Sequence, residues 1–276
     1  VSVPATLQTT IAARIDRLDP KAKRTLTAAA VVGSRFGLDL LEALGVEPVT
    51  DDLIAAQLID QVTFTRQPEY VFKHPLIRAV AYESQLKSDR AELHRRFAVA
   101  IEAQGAADKN AALIAEHLES AGDRREAFSW HMRAGSWSGD RDIRAARINW
   151  ERALRVAEAL PAGDPERTEM LIAPRTSLCA TTWRVGGRTD NGFDELRKLC
   201  ESVGDDLSLA IGMYGQITSL FFSHRYREAS RLASEQYALL QRCPDAVKAA
   251  GFIHGMMLAK VLAGEAAEAY RVGEWG

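Results

Sequence analysis

The sequence predicts a mainly α-helical fold with a small β-rich interruption, followed by a helical array. Three observations carry that expectation. Apolar residues recur at helical spacing from the beginning of the chain; the pattern turns β-rich between Gln61 and Lys73; and from Asn110 onward the helical period returns with no strand-like run.

The elements follow in chain order. Pro4 opens a helix at the position where its missing N–H costs nothing, and Leu7, Ile11, Ile15 and Leu18 form its apolar stripe. Asp19-Pro20 stops that helix and starts another, which carries Leu26, Ala29, Ala30 and Val31 and ends at Gly33. A short helix from Leu38 to Leu44 closes on Gly45. Thr50 caps a third, taken to Asp60, with Asp51 and Asp52 in the first turn where the helix dipole favours negative charge. Gln61 to Thr65 and Tyr70 to Lys73 read as strands joined by the turn Arg66-Gln67-Pro68-Glu69. Three short helices and then a small β-hairpin is the order of a winged-helix domain. A helix from Pro75 to Leu86 comes next. Ser88 or Asp89 caps another, with Glu92 placed for a capping box and Leu93, Phe97, Ala100 and Ile101 on one face. The winged helix with its trailing helices is assigned to residues 20–105.

Residues 106–276 read as a helical repeat region. Asn110 caps a helix bearing Leu113, Ile114 and Leu118, and Gly122 ends it. The following pair fits the ~34-residue tetratricopeptide (TPR) pattern. Trp130, Arg133, Ala134 and Trp137 take the first-helix positions; Ala146, Trp150 and Ala153 take the second. The small residues let the two helices approach while the large aromatics fill the layer between them. Arg133 stands where the pattern has Leu, and the expected Pro arrives late, at Pro161. Further on, Glu126-Ala127, Glu228-Ala229 and Glu268-Ala269 each begin four residues after Gly122, His224 or Gly264, an echo of irregular repeats. Pro161 to Pro165 reads as a joint and Arg184 to Gly192 as a loop.

Composition narrows the function classes. The net charge is −2, with no basic field to draw the chain to nucleic acid or to an anionic membrane. No apolar run approaches the ~20 residues that span a bilayer. The three cysteines, Cys179, Cys200 and Cys243, have neither metal-ligand spacing nor a disulfide framework, which suits a cytoplasmic protein. The chain opens on Val1 and stops at Gly276 soon after an amphipathic pattern begins. That reads as a segment of a longer polypeptide, the alternative being a natural short product.

No catalytic or metal-binding constellation is found. There is no G-x-x-x-x-G-K-[ST] loop to cradle phosphate, and no Gly-Lys pair anywhere. Gly135-Ser136-Trp137-Ser138-Gly139 places Trp where a nucleophile elbow needs Ser. His94, His117 and His131 lack ligand spacing and fall within helical patterns. Arg90, Arg95 and Arg96, split by Glu92, read as a solvated face, the alternative being a partner-docking surface. The third helix, with Asp51, Asp52 and Asp60 and no basic residue, repels a polyanion, so direct DNA binding is disfavoured, although Arg66 and Lys73 lie in the hairpin. His74, between the second strand and a helix, is either a local hydrogen-bonding group at the helix start or a nucleotide sensor.

Pro4 to Leu18 (PATLQTTIAARIDRL), the Ala28 to Gly33 run and above all Phe72 to Ile101 resemble bacterial signal-transduction ATPases with numerous domains (STAND ATPases). The nearest likeness is to mycobacterial-type regulators joining an adenylyl or guanylyl cyclase domain, an AAA-type ATPase, a helical array and sometimes a LuxR-type helix-turn-helix. The most specific piece is F-x-H-P-L-I-R-x-x-A-Y, matched by Phe72, His74, Pro75, Leu76, Ile77, Arg78, Ala81 and Tyr82. The resemblance implies that residues 1–19 end an ATPase lid, that ATP or ADP binds the parent protein outside this segment, and that the winged helix packs on the upstream ATPase domain of the same polypeptide. It offers His74 as a contact to the nucleotide's phosphates and the array as the site of a protein or small-molecule inducer. The expected function is therefore that of a non-catalytic regulatory and interaction segment with no cofactor of its own. A free-standing TPR-like adaptor is the alternative, and DNA binding by the winged helix a more distant one.

Overall fold

The structure, a computed structural model, describes residues 5–63, 67–186, 192–242 and 251–275. It divides into two compact units, one reaching Ala127 and the other beginning at Phe128. Among the described residues they are mainly α-helical, with one three-stranded sheet.

The first unit runs α1 (Ala5–Asp16), α2 (Pro20–Val32), β1 (Arg35–Gly37), α3 (Leu38–Ala43), α4 (Asp51–Ala55), β2 (Ile59–Thr63), β3 (Glu69–Phe72), α5 (Pro75–Glu83), α6 (Lys87–Ala103) and α7 (Ala111–Ala121). The start of α2 follows the sequence signal: the Asp19 carboxylate accepts the Lys21 N–H at 2.8 Å and Pro20 occupies the first turn. The sheet is antiparallel in the order β1-β3-β2, with Arg35 opposite Val71 and Ile59 opposite Phe72. The expected hairpin is therefore present but has a third strand. With three residues, β1 is too short to display an alternating pattern. It forms because β3 would otherwise leave one edge unpaired, and because Phe36 packs on Tyr70 and Phe72 with ring centroids 5.8 and 5.7 Å away. Leu26, Leu41, Leu53, Leu58, Ile59 and Ile77 complete the core beneath it.

Two local expectations are corrected. The third helix ends at Ala55, and Gln57 takes a left-handed φ of 55° that turns the chain into β2. Asp60 is thus a strand residue, 3.3 Å from the Lys73 ammonium, and only Asp51 and Asp52 remain on the helix. Likewise α6 begins at Lys87 behind an extended Leu86, so Ser88 and Asp89 lie inside its first turn. The Ser88 hydroxyl donates to the Asp89 carboxylate at 3.1 Å rather than either residue capping.

In α8 (Arg124–Ser138) the division between the units falls. The second unit continues through α9 (Ile143–Glu158), α10 (Arg167–Ala180), a 3-10 turn (Thr182–Val185), α11 (Phe193–Val203), α12 (Asp206–Phe222), α13 (Tyr226–Leu240), α14 (Ile253–Leu262) and α15 (Ala266–Trp275). No strand occurs among its described residues. Its main core gathers around Leu196, Met213, Leu240 and Met256. Helix α12 packs on α10, α11 and α13, and its glycines set how closely. A Cβ on Gly212 would overlap the Leu196 side chain. One on Gly215 would overlap the Cys179 carbonyl oxygen and sit 2.7 Å from the Ala180 Cα. Backbone cannot move aside as a side-chain tip can.

The Glu-Ala echoes have a shared structural cause. Gly122, His224 and Gly264 all adopt left-handed backbone, with φ of 86°, 58° and 84°. In each case the next residue donates its N–H back five positions: Asp123 to Leu118, Arg225 to Leu220 and Glu265 to Lys260, at 2.9–3.0 Å. These are Schellman closures of α7, α12 and α14. The same residue's carbonyl then receives the N–H of Ala127, Ala229 or Ala269, starting the next helix at once.

Substituting Gly215→Ala is expected to destabilise the protein by about 1–3 kcal/mol, the cost of overpacking at backbone contact, although alanine is the better helix former. Chemical denaturation followed by helical circular dichroism checks this; unchanged or increased stability would show that α10 and α12 are not in backbone contact there.

Candidate functional site

The segment Phe72–Tyr82 joins the sheet to α5, and each residue of its pattern has a place. Phe72 is in the core. His74 is exposed, extended (φ −149°, ψ 139°), and is the N-cap of α5: its Nδ1 accepts the Leu76 N–H at 3.0 Å. Accepting at Nδ1 leaves the ring proton on Nε2, so the neutral imidazole offers one outward donor. Pro75 occupies the first turn, and Leu76 and Ile77 enter the core. Arg78 Nε donates to the Ala30 carbonyl at 3.0 Å in the last turn of α2, and Ala81 is fully buried.

Tyr82 leads to a group that spacing in the sequence does not disclose. Its hydroxyl is 2.9 Å from His94 Nε2, and His94 Nδ1 is 2.9 Å from His117 Nδ1. Both imidazoles are buried, and His117 stacks on Phe97 at 3.8 Å. Of the facing Nδ1 atoms one must carry hydrogen and the other a lone pair, so the chain Tyr82–His94–His117 fits two neutral rings. Burial, with the positive charge of Arg90 and Arg78, pushes His94 down to about 4. Burial, with His94 and Arg78, pushes His117 down to about 3. These histidines sit 23 positions apart on α6 and α7; the available signal was only that each lies on its helix's apolar face.

The arginine cluster on α6 is consumed internally. Arg90 lies over the Tyr82 ring at 4.5 Å and donates to the Tyr82 carbonyl; Arg95 makes a two-point pair with Asp123 at 2.7 and 3.0 Å; Arg96 bonds Glu92 and the Leu44 carbonyl. On α4, Asp51 and Asp52 are exposed and acidic, and Lys73 is held by Asp60 and Gln57. Arg66 lies outside the described residues.

In the second unit Ala134, Ala146, Ala153 and Trp150 are buried, whereas Trp130 and Trp137 are half-buried beneath Arg133 and Arg141, each 4.6 Å from the ring centre. Trp150 packs against the backbone of Gly135, where a Cβ would overlap the indole, and against Leu178 of α10. Gly135 is the residue the pattern-matching overlooked; a glycine in mid-helix costs about 1 kcal/mol against alanine and signals close approach. Buried His131 meets the Asn149 amide oxygen at 3.2 Å, tying α8 to α9.

Cys179 and Cys200 are buried thiols, each pushed up to about 12, mainly by burial. Both stay protonated at neutral pH and are poor nucleophiles. No group of three or more His, Cys, Asp or Glu among the described residues is arranged to hold a metal ion, and none of the helices described is long and apolar enough to cross a membrane.

Each unit also carries an open depression. On the first unit a groove of about 800 Å³ runs between α2 and α6, with Leu18, Val46, Leu86 and Leu93 among charges of both signs. On the second, a cleft of about 570 Å³ is lined by Phe193, Leu220, Leu232 and by four carboxylates and two arginines.

Comparison with known proteins adds a single kind of information. The chain is 30% identical over 162 residues to an uncharacterized protein of Rhizobium meliloti (strain 1021), a stretch covering 55% of this chain and 16% of that protein. The chain thus spans well under two thirds of that relative's length. No protein-family model matches, and neither does any solved structure.

The buried histidine pair makes stability pH-dependent. Unfolding frees both rings to titrate near 6.5, while the folded rings resist protonation down to about 4 and 3. Stability is complete above pH 6.5 and is lost as pH falls toward 4, by about 1.4 kcal/mol per proton per pH unit. Urea midpoints at pH 7.5 and 5.5, where most carboxylates stay ionised, are expected to fall. In His117→Gln the drop is expected to shrink by the share of one proton; an unchanged drop would place the sensitivity elsewhere.

Proposed function

We propose that this chain is a regulatory and interaction segment, without a reaction of its own, of an ATP-dependent signalling protein of the adenylate cyclase or LuxR-regulator type. In this reading the first unit contains a winged helix following an ATPase lid, and the second is a TPR-like array that takes a protein or small-molecule inducer. Inducer binding then biases whether the winged helix stays docked on the ATPase, a two-state element.

The observation that carries the reading is the order α2-β1-α3-α4-β2-β3 with the sheet arranged β1-β3-β2 and closed by the Phe72–Tyr82 segment. That order suits a winged helix, and the pattern quoted above falls where it joins β3 and α5 to α2. Supporting the array are the three matching Schellman turns and the buried Ala that follows each. A relative more than three times as long as this chain suits a module of a larger protein. Buried thiols suit a cytoplasmic setting. Exposed carboxylates on α4 oppose DNA binding there.

The groove beside Leu86, which is 69% exposed, is the natural surface for docking on the ATPase. His74, with its Nε2–H free of the cap, suits a contact to a nucleotide phosphate. Titrating the chain against the ATPase core of its parent, loaded with ADP or with ATP, tests the proposal. The two affinities are expected to differ by ~10-fold or more, about 1.4 kcal/mol, and Leu86→Glu to weaken both. His74→Asn keeps an N-cap acceptor and is expected to erase the nucleotide difference without loss of stability. Equal affinity for the two states in the unsubstituted chain would sink the switch.

A further inference from the structure

On the second unit, away from the cleft between α11 and α13, aromatic side chains surround a small pocket between the 3-10 turn, α12 and α14. It holds about 170 Å³ and includes Trp183, Tyr214, Phe221, Phe222 and Leu258. Small-molecule sites begin near about 300 Å³; this one is scaled to a single side chain. Its wall is already ordered by stacking: Trp183 and Phe222 lie nearly parallel at 5.9 Å, and Phe221 meets Phe222 edge-on at 5.1 Å. Yet Phe222 is 61% exposed, and on α14 Leu258, Val261 and Leu262 are 39%, 54% and 40% exposed. An ordered aromatic stack left in water is a standing hydrophobic cost that a partner's side chain would remove.

The charges around the pocket choose the partner. Among the described residues no carboxylate lines it. Exposed Arg184 adjoins Trp183, and exposed Arg227 follows Phe222 along the chain. In the adjoining depression at Leu262 the single carboxylate, Glu228, is bound at two points by Arg225, at 2.6 and 2.7 Å. An apolar socket with a positive rim complements a negatively charged segment carrying one bulky apolar side chain.

We propose that this pocket is the anchor site for an acidic peptide segment of a partner protein, which inserts one aromatic or large aliphatic side chain between Phe222 and Leu258. The inference deepens the reading of the array as an interaction surface by naming the place and the chemistry of the partner.

The test uses the full 276-residue chain with fluorescein-labelled nonapeptides bearing a central Trp, Phe or Leu flanked by Glu and Asp. Controls carry a central Ala, or Lys in place of the acidic residues. Polarisation is expected to show saturable binding of the acidic peptides with bulky centres, at least ~10-fold tighter than either control and weakened by salt. Phe222→Glu and Leu258→Glu are expected to remove the difference; both residues are exposed, and an unchanged melting curve confirms that each variant folds. Failure of every bulky acidic peptide to bind, equal binding of a control, or full binding by the Phe222→Glu chain overturns the proposal. So does sedimentation showing a self-association that Phe222→Glu abolishes, which would make a second copy the occupant. Because no ATPase is present, a negative result leaves the nucleotide-dependent docking measurement to stand or fall separately.

Discussion

Arginine hydrogen bonding to the carbonyls that end helices is the interaction on which this structure most depends. Fold units made of many short helices accumulate C-terminal carbonyls that have no partner within their own helix. Here backbone turns meet many of those carbonyls, and guanidinium groups from elsewhere in the same unit meet several others. Arg14 reaches the Ala56 and Gln57 carbonyls past α4, Arg78 the end of α2, and Arg96 the end of α3. In the second unit Arg147 bonds the Leu178 carbonyl and the Thr181 hydroxyl at the end of α10, Arg167 bonds Leu160 beyond α9, and Arg184 bonds Gly139 beyond α8. Each bond satisfies an acceptor and sets a cation against the negative end of a helix dipole. Each also fixes one helix relative to another, which a water molecule could not do. Arg147 shows the balance of forces: burial lowers its pKa, outweighing the opposing field of Glu151, while its two bonds give the buried guanidinium partners.

This explains what was legible in the residues and what was not. Element positions in the first unit were largely readable because their signals are local: Asp19-Pro20, Gly45 and His74-Pro75 act within a few residues of themselves. The face carrying Arg95 and Arg96 is exposed, as the sequence reads, but their partners, Asp123 for Arg95 and the Leu44 carbonyl for Arg96, were not legible because they are remote in sequence. Strand β1 was hidden for the same reason, its existence resting on β3 more than 30 positions away. Asp60 was placed on a helix because continuing apolar spacing concealed the turn at Gln57. Pro174 marks the opposite case: a residue expected to break a helix lies buried inside α10, where packing on α9 and α12 outweighs the hydrogen bond it removes.

The Glu-Ala echoes show how a weak sequence regularity can have a firm physical basis. Their spacing is irregular, so a strict repeat search discounts them. What they share is a turn that must reverse the chain in two residues and restart a helix immediately. Left-handed backbone suits Gly at two of the positions, and His224 adopts it at the third while its Nδ1 bonds the Tyr226 hydroxyl at 2.7 Å. The buried Ala five residues later is small because the helix it begins turns inward at that point. Around the last of these turns Lys260, almost fully buried, is neutralised by Glu265 and Glu268 and held by the Ser234 hydroxyl. A charge buried this deeply is strongly destabilising if its partners are lost, so that joint tolerates little rearrangement.

Where function resides can be argued by subtraction from these structural duties. The residues most distinctive in sequence, Phe72 through Tyr82, are occupied with the core, a helix cap, a carbonyl and the histidine chain; only the Nε2–H of His74 is left over. The imidazoles of His94 and His117 and the thiols of Cys179 and Cys200 are held in their neutral forms, which withdraws them from acid–base and nucleophilic work near neutral pH. Exposed apolar groups on charged rims have no such duty in folding. Leu86 beside the α2–α6 groove and Phe222 beside the aromatic pocket each leave apolar surface in water that neither unit uses for its own core. A sequence keeps such side chains at a cost in solubility, and covering them in a complex is what makes the cost recoverable. On the reading proposed above, the residues to alter first are therefore these exposed side chains, whose removal leaves each unit folded.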